Sequence, residues 1–307
     1  MPSLTTTTTT TILLAALTGA STASPLLARQ APSITTPPNQ PAPTPTPWDH
    51  GATPDFPIHS SCNATERAQL QDALHEMLLL AQHAKQHILR FGNSSAQYSQ
   101  WFGQAPTAGP IGWYERILSA DRADTLFRCD DPDGNCALHP DTYAGHWRGS
   151  NATQETVICP RSFSGIRWSL NALCSRGYTV ANSPANAFFA TDLLHRVLHV
   201  PRISEGLVGH FAEDYPEMLA LARERPEEAV LNSDSLQLFA VDVYGFDISV
   251  PGVGCHGVYS AVEEEGAPAA TPSPSGVVSS VAVETPSVTQ SADASCHTHS
   301  DGFVHCD

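Results

Sequence analysis

The sequence predicts a mainly α-helical single domain with a few short strands, stapled by disulfides and carried between disordered flanks. Apolar residues recur at helical spacing over one long stretch and several shorter ones. The eight cysteines form an even set suited to a disulfide framework, and segments rich in Pro, Ser, Thr and Ala bracket the ordered part.

In chain order, Ile12 to Leu17 form an apolar run followed by small residues up to Ala23, so residues 1–23 read as a secretory signal. No later run approaches the roughly 20 apolar residues of a membrane helix, and the carboxy terminus lacks the hydrophobic tail of a GPI signal. Membrane insertion is therefore not expected. The cysteines and the Asn-x-Ser/Thr triplets at Asn63, Asn93 and Asn151 agree with secretion, where disulfides persist and N-glycans are added. Fifteen Lys+Arg against 31 Asp+Glu give a formal charge of -16, which argues against nucleic acid as a partner and mildly favours cations.

Residues 24–47 hold too little apolar side chain to bury and read as a disordered lead-in. The domain is read over residues 48–259. From Asn63 an N-cap with Glu66 three residues on opens a long amphipathic helix through Leu70, Leu74, Met77, Leu78, Ala81 and Ile88, ending near Gly92. A glycan on Asn63 would compete with that cap. The helix also carries His83 and His87, four apart, with no third ligand evident nearby.

Between Gly92 and Arg161, Gly, Pro and Asp are dense, and Cys129 to Cys136 is a turn whose carboxylates are too few for a calcium-binding EF-hand loop. Short strands are expected around Thr125 to Arg128 and Thr156 to Cys159. A helix opening at Pro216 and running to about Arg225, and another from Ser233 to about Phe246, complete the domain.

The chemistry centres on His195-Arg196-Val197-Leu198-His199, in the apolar run that starts near Asn186 and stops at Pro201. On a helix, two histidines four apart face the same side and can share one metal ion, which is zincin geometry. An active zinc peptidase places a Glu after the first His, as the base that takes a proton from metal-bound water. Arg196 stands there instead, and a guanidinium has no acceptor lone pair. The plainer alternative is two histidines satisfied on a half-buried face.

Residues 260–295 read as a flexible Ser/Thr/Pro-rich linker of r.m.s. reach roughly 30 Å. Residues 296–307 then crowd Cys296, His297, His299, His305 and Cys306 into a tail with no core to serve, a density of donors typical of zinc. The two tail cysteines are expected to be bonded, with the imidazoles presented as donors; free thiols would make a tighter Cys/His site. The plain reading of this tail is a disulfide loop with incidental histidines.

The stretches Pro57 to Thr65, Leu126 to Asp130, Pro132 to Cys136, Gly145 to Gly149, His195 to Pro201, Pro251 to Cys255 and Cys296 to His299 together resemble the fungal pH-regulated antigen family. These are secreted zinc-scavenging proteins, or zincophores, that include a major Aspergillus allergen. The family is in turn similar to the deuterolysin zinc peptidases, which implies a zincin-like, deuterolysin-like fold. There two helix histidines are joined by an Asp from a downstream loop, and at the matching place this chain has His210.

The resemblance therefore implies a zinc site of His195, His199 and His210, with Glu213, Asp214, Tyr215 and Glu217 nearby as orienting or substitute groups. Asp192, one turn before His195, can orient that ring or be an ordinary helix-surface carboxylate. The resemblance also implies the pairs Cys62 with Cys129, Cys136 with Cys159, and Cys174 with Cys255. It further implies delivery of zinc to the cell through a plasma-membrane zinc transporter.

The leading expectation from the sequence is a zinc scavenger that is secreted or associated with the cell surface or cell wall, and that is not an enzyme. One alternative is an active metallopeptidase with a substitute base such as Glu213 or Glu217. Another is a cell-surface antigen that binds host proteins.

Overall fold

The computed structural model describes residues 48–260, together with the backbone of two short strands, β4 (Cys296–Thr298) and β5 (Val304–Cys306). The expected signal, the lead-in and nearly all of the linker lie outside the described residues, as do the side chains of the tail.

Helix α1 (Ala64–Phe91) is the organising element of a mostly helical domain. Its start follows from the local sequence. Asn63 Oδ1 accepts from the backbone of Thr65 at 2.9 Å and Glu66 at 3.0 Å, while Glu66 reaches back to the Asn63 amide at 2.8 Å. The cap uses the side-chain oxygen, whereas an N-glycan occupies the nitrogen, so the two roles expected to compete do not exclude each other. At the other end Gly92 takes a positive φ of 58°, which removes it from the helix at little steric cost. Leu70, Met77, Leu80, Ala81 and Ile88 form the buried stripe, each larger side chain contributing about 1.5–3 kcal/mol on burial.

That stripe packs against α3 (Ala108–Ser119), α5 (Phe189–His199) and α9 (Ser233–Tyr244), and α2 (Ala96–Phe102) packs on α9 and on α7 (Tyr215–Glu224), which the short α8 (Pro226–Ala229) follows. Helices α2 and α3 fall in a region whose Gly, Pro and Asp content suggested only turns and short strands. Their apolar residues, Tyr98, Trp101 and Phe102 on one and Trp113, Tyr114 and Ile117 on the other, are buried at the expected spacing. The seven residues of α2 make too few turns for that periodicity to stand out, and in α3 it is masked by Gly109, Pro110 and Gly112 at its start, so both helices rely on tertiary packing.

A small sheet has strand order β1 (Leu126–Arg128), β3 (Glu155–Ile158), β2 (Gly145–Trp147), parallel between β1 and β3 and antiparallel between β2 and β3. The short helix α4 (Asn135–Leu138) precedes β2. Disulfides join Cys62 to Cys129, Cys136 to Cys159 and Cys174 to Cys255. The first ties the entry of α1 to β1, the second ties α4 to the end of β3, and the third ties the loop before α5 to the segment after α9.

Helix α9 continues into a wider π-type turn at Gly245–Ser249. There Asp247 Oδ2 lies 2.8 Å from His83 Nε2 and 2.7 Å from His87 Nδ1. The second histidine pair of the sequence thus clasps the end of α9 to α1. Among the described residues no helix is long and apolar enough to cross a membrane. In the tail, β4 and β5 pair antiparallel with Cys296 opposite Cys306 and His297 opposite His305.

Candidate metal centre

Every residue of α5 is buried. Thr191 Oγ1 closes its first turn on the carbonyls of Ala185 and Phe188, at 2.7 and 2.8 Å. Gln237 Nε2 of α9 donates to Asn186 Oδ1 at 2.7 Å and to the Thr191 carbonyl at 3.0 Å. These bonds fix α5 against α9. The backbone amide of Val200 turns back to the Val197 carbonyl, and Pro201, which cannot continue the ladder, opens the short α6 (Pro201–Ser204).

His195 and His199 lie one turn apart on α5 with their Nε2 atoms 3.1 Å apart. The loop that follows α6 brings His210 alongside, its ring stacked on His199 at 4.6 Å between centroids and 5.1 Å from His195. One nitrogen from each ring lies within 4.8 Å of the others. Nitrogens bound to one tetrahedral zinc at about 2.0–2.1 Å stand roughly 3.3 Å apart, so the His195–His199 spacing already matches a shared ion. The three donors are all imidazoles, which suit zinc when neutral.

The His210 loop is held from the start of α9. Asn232, fully buried, accepts from the amides of Phe211 at 2.8 Å and Ala212 at 3.2 Å, and donates to the Ala212 carbonyl at 2.9 Å. The amides of Gly209 and Ser233 bond to the carbonyls of Leu231 and Gly209, both at 3.0 Å. Asp234 then meets His210 Nδ1 with Oδ2 at 2.9 Å and lies 3.7 Å from His195 Nδ1 with Oδ1. One buried carboxylate therefore sits behind two of the three rings, on the Nδ1 side of His210. Sequence reasoning did not single out Asp234. Its only signal was a carboxylate in the first turn of the last helix, a common place for an acid.

Arg196, in the position of a peptidase base, turns away from that role. Its Nε and Nη2 donate to Asp192 at 3.0 and 3.1 Å, and Arg167 Nη2 donates to the same carboxylate at 3.1 Å. All three side chains are 3% exposed. Asp192, considered from the sequence as an orienting group for His195, is thus the counter-ion of two buried guanidinium groups. The Arg196 guanidinium also packs under β2, where a Cβ on Gly145 would lie 3.0 Å from its Cζ and 2.4 Å from the Val157 carbonyl oxygen.

Of the other acids and hydroxyls considered near the site, Asp214 caps α7 through the Glu217 amide at 2.9 Å. The Tyr215 hydroxyl lies 2.6 Å from His256 Nε2 and accepts from Gln100 at 3.1 Å, while His256 Nδ1 stands 3.0 Å from Asp242. Glu213 lies in the loop between His210 and α7. The side chains of His297, His299, His305, Cys296 and Cys306 lie outside the described residues. Asn63 and Asn93 are exposed, and Asn151 is exposed with its Nδ2 donating to Asp133 at 3.1 Å.

Residues 10–258 match the model of a family described as "HRXXH: Putative peptidase family", a pattern met here by His195, Arg196 and His199. The major allergen Asp f 2 of Aspergillus fumigatus is 47% identical over 272 residues, covering 84% of this chain and 86% of that protein. The pH-regulated antigen PRA1 of Candida albicans is 45% identical over 217 residues, covering 70% and 72%. Protein ZPS1 of Saccharomyces cerevisiae is 35% identical over 211 residues, covering 68% and 82%. Among solved structures, a zinc peptidase from Grifola frondosa overlays with a TM-score of 0.43 at 16% identity, covering 59% of this chain and 97% of that one.

Proposed function

Since the chain belongs to the HRXXH family, and Arg196 occupies the place of a general base, we propose that it captures zinc outside the cell and returns it to the cell, rather than cutting peptides. The observation that carries this reading is the convergence of His195, His199 and His210 in front of Asp234. A largely buried three-imidazole cluster with one ring fixed by a carboxylate can hold a zinc ion and leave a further position for water or a donor from a partner. Arg196 cannot accept a proton, and its charge is already spent on Asp192.

The three disulfides, and relatives whose names are allergen and antigen, support a place outside the cell or on its surface. The tail, with His297, His299 and His305 between Cys296 and Cys306, serves as a second zinc-binding segment in this reading. A plasma-membrane zinc transporter is the receiving partner, and host proteins are further partners of the exposed surface.

The test is zinc stoichiometry and affinity on the purified secreted chain, at neutral pH and about two units lower, alongside a chain ending at Ser295. Imidazole must be neutral to ligate, so affinity falls as pH drops through about 6.5, the ordinary His value. Stoichiometry falls on truncation. A chain that takes up no zinc at neutral pH overturns the proposal, and zinc-dependent peptide hydrolysis by the unmodified chain would favour a peptidase instead.

A further inference from the structure

A second convergence of metal donors lies at the small sheet, in residues that the three-histidine centre does not use. Cys136 of α4, His146 of β2 and Cys159 at the end of β3 place one donor atom each within 4.8 Å of one another, and all three residues are buried. In the oxidised chain the two sulfurs are bonded to each other. His146 is 1% exposed, and its Nδ1 is buried with no hydrogen-bond partner. Its Nε2 faces Asp133 Oδ2 at 3.4 Å, which assigns the ring proton to Nε2 and leaves the Nδ1 lone pair uncommitted.

Burial lowers the pKa of this imidazole, with Asp133 opposing. Nearby, Asp131 Oδ2 accepts from the Ala137 amide at 2.9 Å while Oδ1 is buried without a partner. Buried acceptors left unmatched are uncommon because they forgo hydration for nothing. Here the imidazole belongs to a residue with a donor atom within 4.8 Å of both sulfurs. A carboxylate behind the far nitrogen of the ring is the partner that metal-ligating histidines take.

We propose that Cys136, Cys159 and His146 form a redox-gated site for a thiophilic divalent cation such as zinc, closed by the disulfide and opened by a dithiol reductant. One thiolate of the dithiol attacks a sulfur of the Cys136–Cys159 bond, which breaks to a mixed disulfide. The second thiol of the reductant displaces the remaining protein sulfur, so the reductant leaves as a cyclic disulfide and its two electrons leave two thiols on the protein. Cation binding then releases both thiol protons to solvent. The two thiolates neutralise the dication, His146 Nδ1 supplies the third donor, and a water supplies the fourth. This site is independent of the zinc-capture reading and stands or falls separately from it.

Cobalt(II) is the probe, because only thiolate ligands give it an intense ligand-to-metal charge-transfer band, and three imidazoles do not. The full chain carrying Cys296→Ser and Cys306→Ser, which removes the tail thiols, is reduced with dithiothreitol without oxygen. Open thiols are located by alkylation and peptide mass, and cobalt is then titrated. The expected result is a charge-transfer band that appears only after reduction, saturating at about one cobalt per chain. It persists when Cys62→Ser/Cys129→Ser is added and vanishes with Cys136→Ser/Cys159→Ser. His146→Asn weakens binding at least about tenfold.

A band indifferent to His146→Asn or to Cys136→Ser/Cys159→Ser overturns the proposal, as does the absence of a band once both thiols are shown open. Loss of the near-ultraviolet circular dichroism on opening overturns it too, because the site needs the fold. So does a Cys136–Cys159 bond that the dithiol cannot open while the chain stays folded.

Discussion

Asp234 and His210, 24 residues apart in sequence, meet at 2.9 Å between a carboxylate oxygen and Nδ1, and the same carboxylate extends to His195 at 3.7 Å. Removing its charge while keeping its shape isolates its contribution to metal binding. Asp234→Asn is expected to weaken zinc affinity by about 10–100-fold, measured by competition with a chromophoric chelator. Unchanged affinity in a folded variant would mean that the rings need no carboxylate behind them.

The buried carboxylate of Asp192 compensates both Arg167 and Arg196. Asp192→Ala strands two guanidinium groups out of water and is expected to cost about 3–5 kcal/mol in urea unfolding. Arg196→Met leaves Asp192 still paired with Arg167, so its cost should be clearly smaller. The reverse order would show that the pairing with Arg196 carries the cluster.

Gly145 is the point where β2 rides over that cluster. A methyl group there meets the Val157 carbonyl oxygen at 2.4 Å and the Arg196 guanidinium at 3.0 Å. Gly145→Ala should therefore destabilise by about 1–3 kcal/mol, seen as a lower thermal midpoint. A midpoint equal to that of the parent chain would show that strand and guanidinium can separate freely.

Acid stability follows from the charges around the sheet. The Arg148 guanidinium holds Asp133 below the ordinary carboxylate range, with burial opposing and His146 assisting. A folded value below the unfolded one of about 3.9 means that the unfolded chain binds more protons in this window. The stabilisation is complete above about pH 3.9 and is lost as pH falls from there through the folded value. Asp133→Asn should accordingly narrow the difference between urea midpoints taken at pH 5 and pH 3. An undiminished difference would assign the acid limb to other carboxylates.

Some of the site was legible in the chain because it is local. The spacing of His195 and His199 fixes two imidazoles on one face of any helix that forms there, and the missing base is read directly at Arg196. Placing His210 with them took the resemblance to a family, since nothing in the spacing of eleven residues requires a loop to fold back. Helices α2 and α3 escaped because α2 covers only seven residues and α3 opens with Gly109, Pro110 and Gly112, and it is Trp101 and Tyr114 packing into a shared core that selects helix.

Local sequence was enough to define α1 from its capping box to its terminal glycine, the pairing of two histidines on α5 and the loss of a base between them. Each of these rests on groups within about one helical turn of each other, whose geometry the backbone period dictates. Asp234 standing behind His210, Asp192 serving Arg167 and Arg196, and His146 lying beside the Cys136–Cys159 disulfide become visible only in three dimensions. Those relationships join residues on separate elements, and which elements meet is set by the burial of the whole apolar surface of the chain at once rather than by any segment alone.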